Sequence, residues 1–321
     1  KSESFYTIYK NVNIGDYSES EIYLGGGGKY GYGVKTLSRS VYNCGNNDYG
    51  QLGRTSTSFN SKIPTEITSN IGNSNIVAIS AGGNSIGGSF PGSSDSSSSH
   101  SLFLDENGNV YGCGYNYYGQ LGLNDTTTRY IPERITSNIG DSNIVAISAG
   151  DTHSLFLDEN GNIYSCGDNY YGELGLGHEY DCNIPTEITS NIGDSNIVAI
   201  SAGSHSLFLD ENGNVYACGN NGNGQLGMGD NDKNTRYIPK RINTNNIGNS
   251  KIVAISAGSG YSLFLDEYGD VYGCGTNISG QLGMGDNDKN TRYIPERITS
   301  NIGDSKIVAI SAGSGHSLFL D

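Results

Sequence analysis

Short apolar runs alternate with polar, glycine-rich turns along nearly the whole chain, and no stretch carries the 3.6-residue spacing of an amphipathic helix. The clearest unit runs from His153 to Gly175, HSLFLDENGNIYSCGDNYYGELG. In Ser154–Asp158 leucines alternate with Ser, Phe and Asp, which predicts a strand with two different faces. Glu159-Asn160-Gly161-Asn162 follows, and its Asn-Gly pair predicts a type I′ hairpin turn, whose two central residues both need positive φ. Ile163–Cys166 is the returning strand, ended by Gly167, and Asn169 to Gly175 reads as a turn-rich loop anchored by Leu174. After Ile184-Pro185 comes Ile197-Val198-Ala199-Ile200-Ser201-Ala202-Gly203, apolar on both faces. That run is predicted to be a fully buried strand, and its small residues suit a crowded place near an axis.

Variants of this unit return along the chain. The Cys of the VYxCG element stands at Cys44, Cys113, Cys166, Cys218 and Cys274. Spacings a little above fifty residues point to propellers and related arrays. The longer first step holds a Gly/Ser-rich insertion over 83–99, read as a flexible surface loop. Ile-Pro recurs once per unit, as at Pro132 and Pro185, which fits an edge strand that needs no ladder donor at that point. The array argues for a single domain over 1–321.

The repeated pattern GxxHSLxLDENGxVYxCGxNxxGQLG, preceded by the buried strand and followed by a loop with Ile-Pro, resembles the regulator of chromosome condensation family. The family's Trp-Gly is Cys-Gly here in all five copies. The resemblance implies an all-β, closed β-propeller of four-stranded antiparallel blades, commonly seven. Counting elements in this chain gives about six: the buried strand recurs near Glu21, Asn75, Asn143, Asn196, Lys251 and Lys306. The SLFLD strand recurs near Tyr32, Ser101, Ser154, Ser206, Ser262 and Ser317. Ser4–Lys10 would complete the last blade, so that N- and C-terminal strands close the ring as a clasp.

Charge and motifs narrow the function. With 18 Lys+Arg against 33 Asp+Glu the net charge is −15, and direct nucleic-acid binding is not expected. No apolar run approaches the roughly 20 residues of a membrane span. No GxSxG, P-loop, HExxH or dinucleotide fingerprint is present, so neither an enzyme nor a cofactor is expected. The repeat cysteines read as small buried side chains, with a ring of metal-binding thiolates as the alternative. Cys182 sits in His178-Glu179-Tyr180-Asp181-Cys182, a cluster that reads as solvated polar residues or as metal ligands. Asp230–Asn234 faintly follows a calcium loop but has Thr235 where Gly is required and Arg241 where Glu is required. The compartment stays open, with an intracellular site slightly favoured, and Asn, Ile, Lys and Tyr usage admits a component of a large virus particle.

His100, His153, His205 and His316 each precede SLFLD, and Tyr261 takes that place in the fifth copy. One reading is structural, with the imidazole bonding a neighbouring blade's backbone. The resemblance implies another, because these loops would crowd one rim, where a GTPase docks on family members that act on one. The candidate partner contacts are therefore Asp151, His153, His205, Tyr261 and His316. The leading function is a non-enzymatic protein–protein interaction scaffold. The alternatives are a guanine-nucleotide exchange factor for a small GTPase and a structural or secreted binding protein.

Overall fold

The computed structural model describes residues 40–321 apart from 55–59, 72–73, 84–97, 193–194, 230, 286 and 303–304. β1 (Tyr42–Asn46) and β2 (Asn60–Glu66) form an antiparallel pair. Four complete blades follow among the described residues. The first is β3 (Ile76–Gly82), β4 (His100–Asp105), β5 (Val110–Gly114) and β6 (Arg129–Ile135). The second is β7 (Ile144–Ala149), β8 (His153–Asp158), β9 (Ile163–Gly167) and β10 (Cys182–Glu187). The third is β11 (Ile197–Ala202), β12 (His205–Asp210), β13 (Val215–Gly219) and β14 (Arg236–Arg241). The fourth is β15 (Ile252–Ala257), β16 (Tyr261–Asp266), β17 (Val271–Gly275) and β18 (Arg292–Arg297). β19 (Ala309–Ala312) and β20 (Ser317–Leu320) pair as a last half-blade. Within every blade the strands lie in chain order and pair antiparallel, so the molecule is an all-β propeller. The expected copies near Glu21 and Tyr32, and the clasp strand Ser4–Lys10, lie outside the described residues.

The first strand of each blade is innermost. The ends of β3, β7, β11, β15 and β19 line one cavity of about 170 Å³. Their small residues let five strand ends converge there. Inner strands are also stitched to each other: Ala149 N donates to Ser80 Oγ at 2.9 Å, and Ala202 N to Ser148 Oγ at 2.9 Å. The fully buried strand predicted from Ile197 onward is corrected here. β11 is only half-buried at Val198, Ser201 and Ala202, because it borders the central opening rather than packing on both faces.

The core lies between blades. Leu155, Leu157 and Ile163 of the second blade pack against Ile200, Phe208 and Cys218 of the third. Phe156, Phe208 and Phe264 are each fully buried, and such a side chain contributes roughly 1.5–3 kcal/mol relative to exposure. Pro132 and Pro185 fall in outermost strands, as their missing N–H requires.

The hairpin turn departs from the type I′ reading. Asp158 C=O accepts from Gly161 N at 3.2 Å, and only Gly161 has positive φ, at 83°. The buried Asp158 carboxylate explains the difference. Its Oδ1 accepts from Asn160 N and Asn162 N, both at 2.9 Å, and its Oδ2 from Asn162 Nδ2 at 2.9 Å. A side chain that satisfies the turn's donors favours the ordinary turn and needs one glycine rather than two left-handed residues. Asp105, Asp210 and Asp266 hold their turns in the same way. At the insertion, a Cβ on Gly83 would stand 2.6 Å from Ser99 Cα, so the chain leaves β3 and re-enters β4 at one point.

Candidate functional site

Antiparallel order puts two loops of each blade on one face of the propeller. They are the AGxxH loop between the first and second strands, and the GxNxxG[QE]LG loop between the third and fourth. Backbone bonds tie them together: Asp168 N donates to Thr152 O at 3.1 Å and Tyr115 N to Ser99 O at 3.0 Å.

Beneath this face runs a relay from blade to blade. His100 Nε2 lies 2.8 Å from Ser154 Oγ, His153 Nε2 2.8 Å from Ser206 Oγ, and His205 Nε2 2.6 Å from Ser262 Oγ. Each serine gives its own hydrogen to the preceding blade's loop: Ser154 to Gln120 O at 2.7 Å, Ser206 to Glu173 O at 2.7 Å, Ser262 to Gln225 O at 2.7 Å. The hydrogen between imidazole and hydroxyl must therefore come from Nε2, which leaves Nδ1 bare. Nδ1 of His100, His153 and His205 is buried without a partner. Burial holds these imidazoles neutral, lowering His100 to about 3, His153 to about 4 and His205 to about 3. The neighbouring His153 lowers the other two further. In the fifth copy Tyr261 OH instead donates to His316 O at 2.5 Å.

The same loop carbonyls accept a second donor. Cys166 Sγ lies 3.5 Å from Gln120 O, and Cys218 Sγ 3.5 Å from Glu173 O. Each cysteine thus fastens its blade to the preceding one. Burial pushes the thiols of Cys113, Cys166, Cys218 and Cys274 well up, whereas Cys44 is exposed.

The predicted contact residues separate in space. His153, His205 and Tyr261 are completely buried, so their side chains hold the rim from below. Asp151 is half-buried at the central cavity, its N–H bonded to Gly203 O at 2.9 Å. His316 is exposed on the last half-blade. His178 Nδ1 accepts from Tyr180 N at 3.2 Å, so the cluster before Cys182 bonds within itself. Asp232 meets Arg236 at 2.5 Å, and Asp288 meets Arg292 at 2.5 Å. Among the described residues no group of three His, Cys, Asp or Glu side chains is placed to hold a metal ion.

Exposure on this face belongs to side chains that the sequence reading passed over. In each GxNxxG[QE]LG loop the Asn carbonyl oxygen pins the Leu N–H: Asn116 to Leu121 at 2.8 Å, Asn169 to Leu174 at 3.0 Å, Asn221 to Leu226 at 3.0 Å. Gly119, at φ 81°, touches the next blade, where a Cβ would come within 2.4 Å of Asn183 Cα. The two residues between Asn and Gly join this frame through the backbone, as where Tyr118 N donates to Gln120 Oε1 at 3.2 Å and Tyr171 N to Glu173 Oε2 at 2.9 Å, and their side chains differ from copy to copy. They are Tyr117-Tyr118 and Tyr170-Tyr171 in successive blades, preceded by Asp48-Tyr49. Tyr117 is 68% exposed and Tyr170 67%. Four rings form one cluster, with centroids 5.0 Å apart for Tyr49–Tyr115 and 5.3 Å for Tyr117–Tyr118. Variation at two positions inside an otherwise repeated frame was the signal available in the sequence.

Glu173 is the second such departure, since the other four copies have Gln. Gln51 Nε2 donates to Asn46 Oδ1 at 2.7 Å, and Gln225 Nε2 to Asn220 Oδ1 at 3.3 Å. In the third copy the corresponding pair is Asp168 and Glu173. Burial, then the charges of Asp168 and Asp181, push the Glu173 carboxyl up to about 8. It therefore keeps its proton at neutral pH.

The model for the "Regulator of chromosome condensation (RCC1) repeat" matches residues 40–86, 107–157, 160–209, 212–265 and 268–320. The ultraviolet-B receptor UVR8 of Arabidopsis thaliana is 33% identical over 220 residues, which are 68% of this chain and 48% of that protein. The mouse E3 ubiquitin-protein ligase HERC2 is 31% identical over 221 residues, 68% of this chain and 4% of that protein. The chain thus spans less than half the length of either relative. Among solved structures, Prp20p of Saccharomyces cerevisiae superposes with a TM-score of 0.69 at 23% identity, covering 87% of this chain and 64% of that one. Family model and fold agree: the chain belongs to the regulator of chromosome condensation (RCC1) repeat family.

Proposed function

We propose that this chain is a non-enzymatic protein-interaction platform whose docking surface is the face carrying the GxNxxG[QE]LG loops. One observation carries the reading. A rigid frame, pinned by Asn116, Asn169 and Gly119, holds out tyrosines that the fold does not use for packing. Tyrosine presents large contact area at low entropy cost, which suits it to recognition. Asp151 and His316 keep exposed surface near that face, while His153, His205 and Tyr261 act as positioning residues underneath.

Wild-type protein and Tyr117→Ala/Tyr170→Ala, each immobilised, are to be compared for the proteins they retain from cells of the source organism. The reading expects specific partners that the double variant loses at unchanged melting temperature. Identical retention by both proteins would sink it. Prp20p is described with its binding to Gsp1p and histones. A small GTPase among the lost partners, with its nucleotide release accelerated by this chain, would favour the exchange-factor reading instead.

A further inference from the structure

We propose that the tyrosine half of this face binds an arginine-rich segment of a partner protein. The proposal rests on the platform reading and adds the partner's chemistry. The face is divided. Three consecutive loops carry Tyr49, Tyr117-Tyr118 and Tyr170-Tyr171, while the next two carry Gly222-Asn223 and Ile278-Ser279. Two pairs meet edge-on, at 88° for Tyr117–Tyr118 and 87° for Tyr170–Tyr171, while Tyr115 stacks loosely on Tyr117 with centroids 6.4 Å apart. Edge-on pairs leave ring faces open, and an open tyrosine face attracts a cation.

Charge points the same way. Segments 45–53, 114–122, 149–153 and 167–181 contain no Lys or Arg. They carry Asp48, Asp151, Asp168, Glu173, Glu179 and Asp181, of which Asp48, Glu179 and Asp181 are exposed and Glu173 is buried. The acidic charges reach the rings, since Asp168 and Asp181 both raise the Tyr118 hydroxyl after burial has done so. The adjoining Arg129 is already engaged by Asp125 at 2.7 Å and by Glu133. Elsewhere on the chain a tyrosine already carries a cation, with Lys233 Nζ 5.7 Å from the centroid of Tyr293.

Flat aromatic faces beside carboxylates, in loops that hold no Lys or Arg, suit a guanidinium better than an ammonium. Arginine stacks on the ring and presents a planar fork to the acid at once, whereas lysine supplies a point charge. A phosphate backbone would meet the same carboxylates as repulsion. The occupant that satisfies both features is a flexible, arginine-rich stretch of polypeptide.

The test uses the whole chain and a fluorescein-labelled dodecapeptide of alternating Arg and Ser, with Lys-Ser and Glu-Ser counterparts, followed by anisotropy at physiological ionic strength. Saturable binding is expected for the Arg peptide, weaker binding for the Lys peptide and none for the Glu peptide. Tyr117→Ala/Tyr170→Ala should weaken the Arg peptide by roughly 5- to 30-fold, the loss expected for two exposed ring–cation contacts. Tyr268, 65% exposed in a hairpin turn on the opposite face, is the control, and Tyr268→Ala should leave binding unchanged. No saturable binding, equal affinity for the Arg and Lys peptides, or equal binding by wild type and the double variant would overturn the proposal. Equal loss in Tyr268→Ala would do the same. If the peptides fail while the double variant still loses cellular partners, the platform reading stands and only the arginine assignment falls.

Discussion

His153 Nε2 lies 2.8 Å from Ser206 Oγ, on the neighbouring blade, and the serine hydrogen is spent on Glu173 O at 2.7 Å. One imidazole thus joins two blades through a hydroxyl that also holds a surface loop. His153→Ala removes the imidazole that donates to Ser206 Oγ across the blade interface and opens a cavity. It should cost roughly 1–3 kcal/mol, read by urea unfolding. Ser206→Ala strands His153 Nε2 and leaves Glu173 O to the weaker Cys218 thiol, so the two changes should be strongly non-additive in a double-mutant cycle. Additive losses would mean that the contact contributes nothing of its own.

The relay also sets an acid limit. His100, His153 and His205 are lowered to about 3, 4 and 3 in the fold, while an unfolded imidazole titrates near 6.5. Below that value the unfolded chain takes up protons that the folded chain refuses, so stability is lost as pH falls from about 6.5 towards 4. Melting temperature should drop across that window. Long-range proton–nitrogen NMR at neutral pH should show all three as Nε2–H tautomers, and a charged imidazole there would refute the assignment.

Glu173 produces the opposite slope. Its carboxyl is raised to about 8 in the fold from an ordinary 4.5. Between these values the folded state keeps a proton that the unfolded state has released, so this group's contribution declines as pH rises from about 4.5 to 8. Glu173→Gln restores the residue of the other four copies and removes the decline. The variant should melt within a degree or so of wild type near pH 4.5, and several degrees higher near pH 9. A gain that is the same at both pH values would show that ionisation of Glu173 is not its cause.

Much of the fold was legible because strands and turns are local. Leucine alternation in Ser154–Asp158 and the returning Ile163–Cys166 marked the hairpin now seen as β8 and β9. The turn type was not legible, because it depends on where the Asp158 carboxylate points. The histidines were harder still. The role of His153 is decided by Ser206, which belongs to another blade, and no local pattern reports that pairing. Tyr117 and Tyr170 were visible as variable residues in a fixed frame, yet the loop's glycines directed attention to turn geometry instead. The inner strand was misread as fully buried because its apolar run looks the same whether its second face meets packed residues or an opening lined by neighbouring strand ends.

The repeat cysteines offer a last test, since one repeat position is placed in two environments. Cys113, Cys166, Cys218 and Cys274 are buried, and each lies 3.3–3.6 Å from a carbonyl of the preceding blade. Burial raises their thiols, and the thiolate is the reactive form, so these four are both shielded and protonated. Cys44 occupies the same repeat position but is exposed. Cys182, outside the repeat, is half-buried, with its thiol raised first by burial. An aromatic disulfide reagent added to native protein should therefore label Cys44 fastest, Cys182 more slowly and the other four only on unfolding. Peptide mapping by mass spectrometry resolves the order. Early labelling of Cys218 would mean that the second and third blades separate readily, and would contradict the continuous core drawn between them.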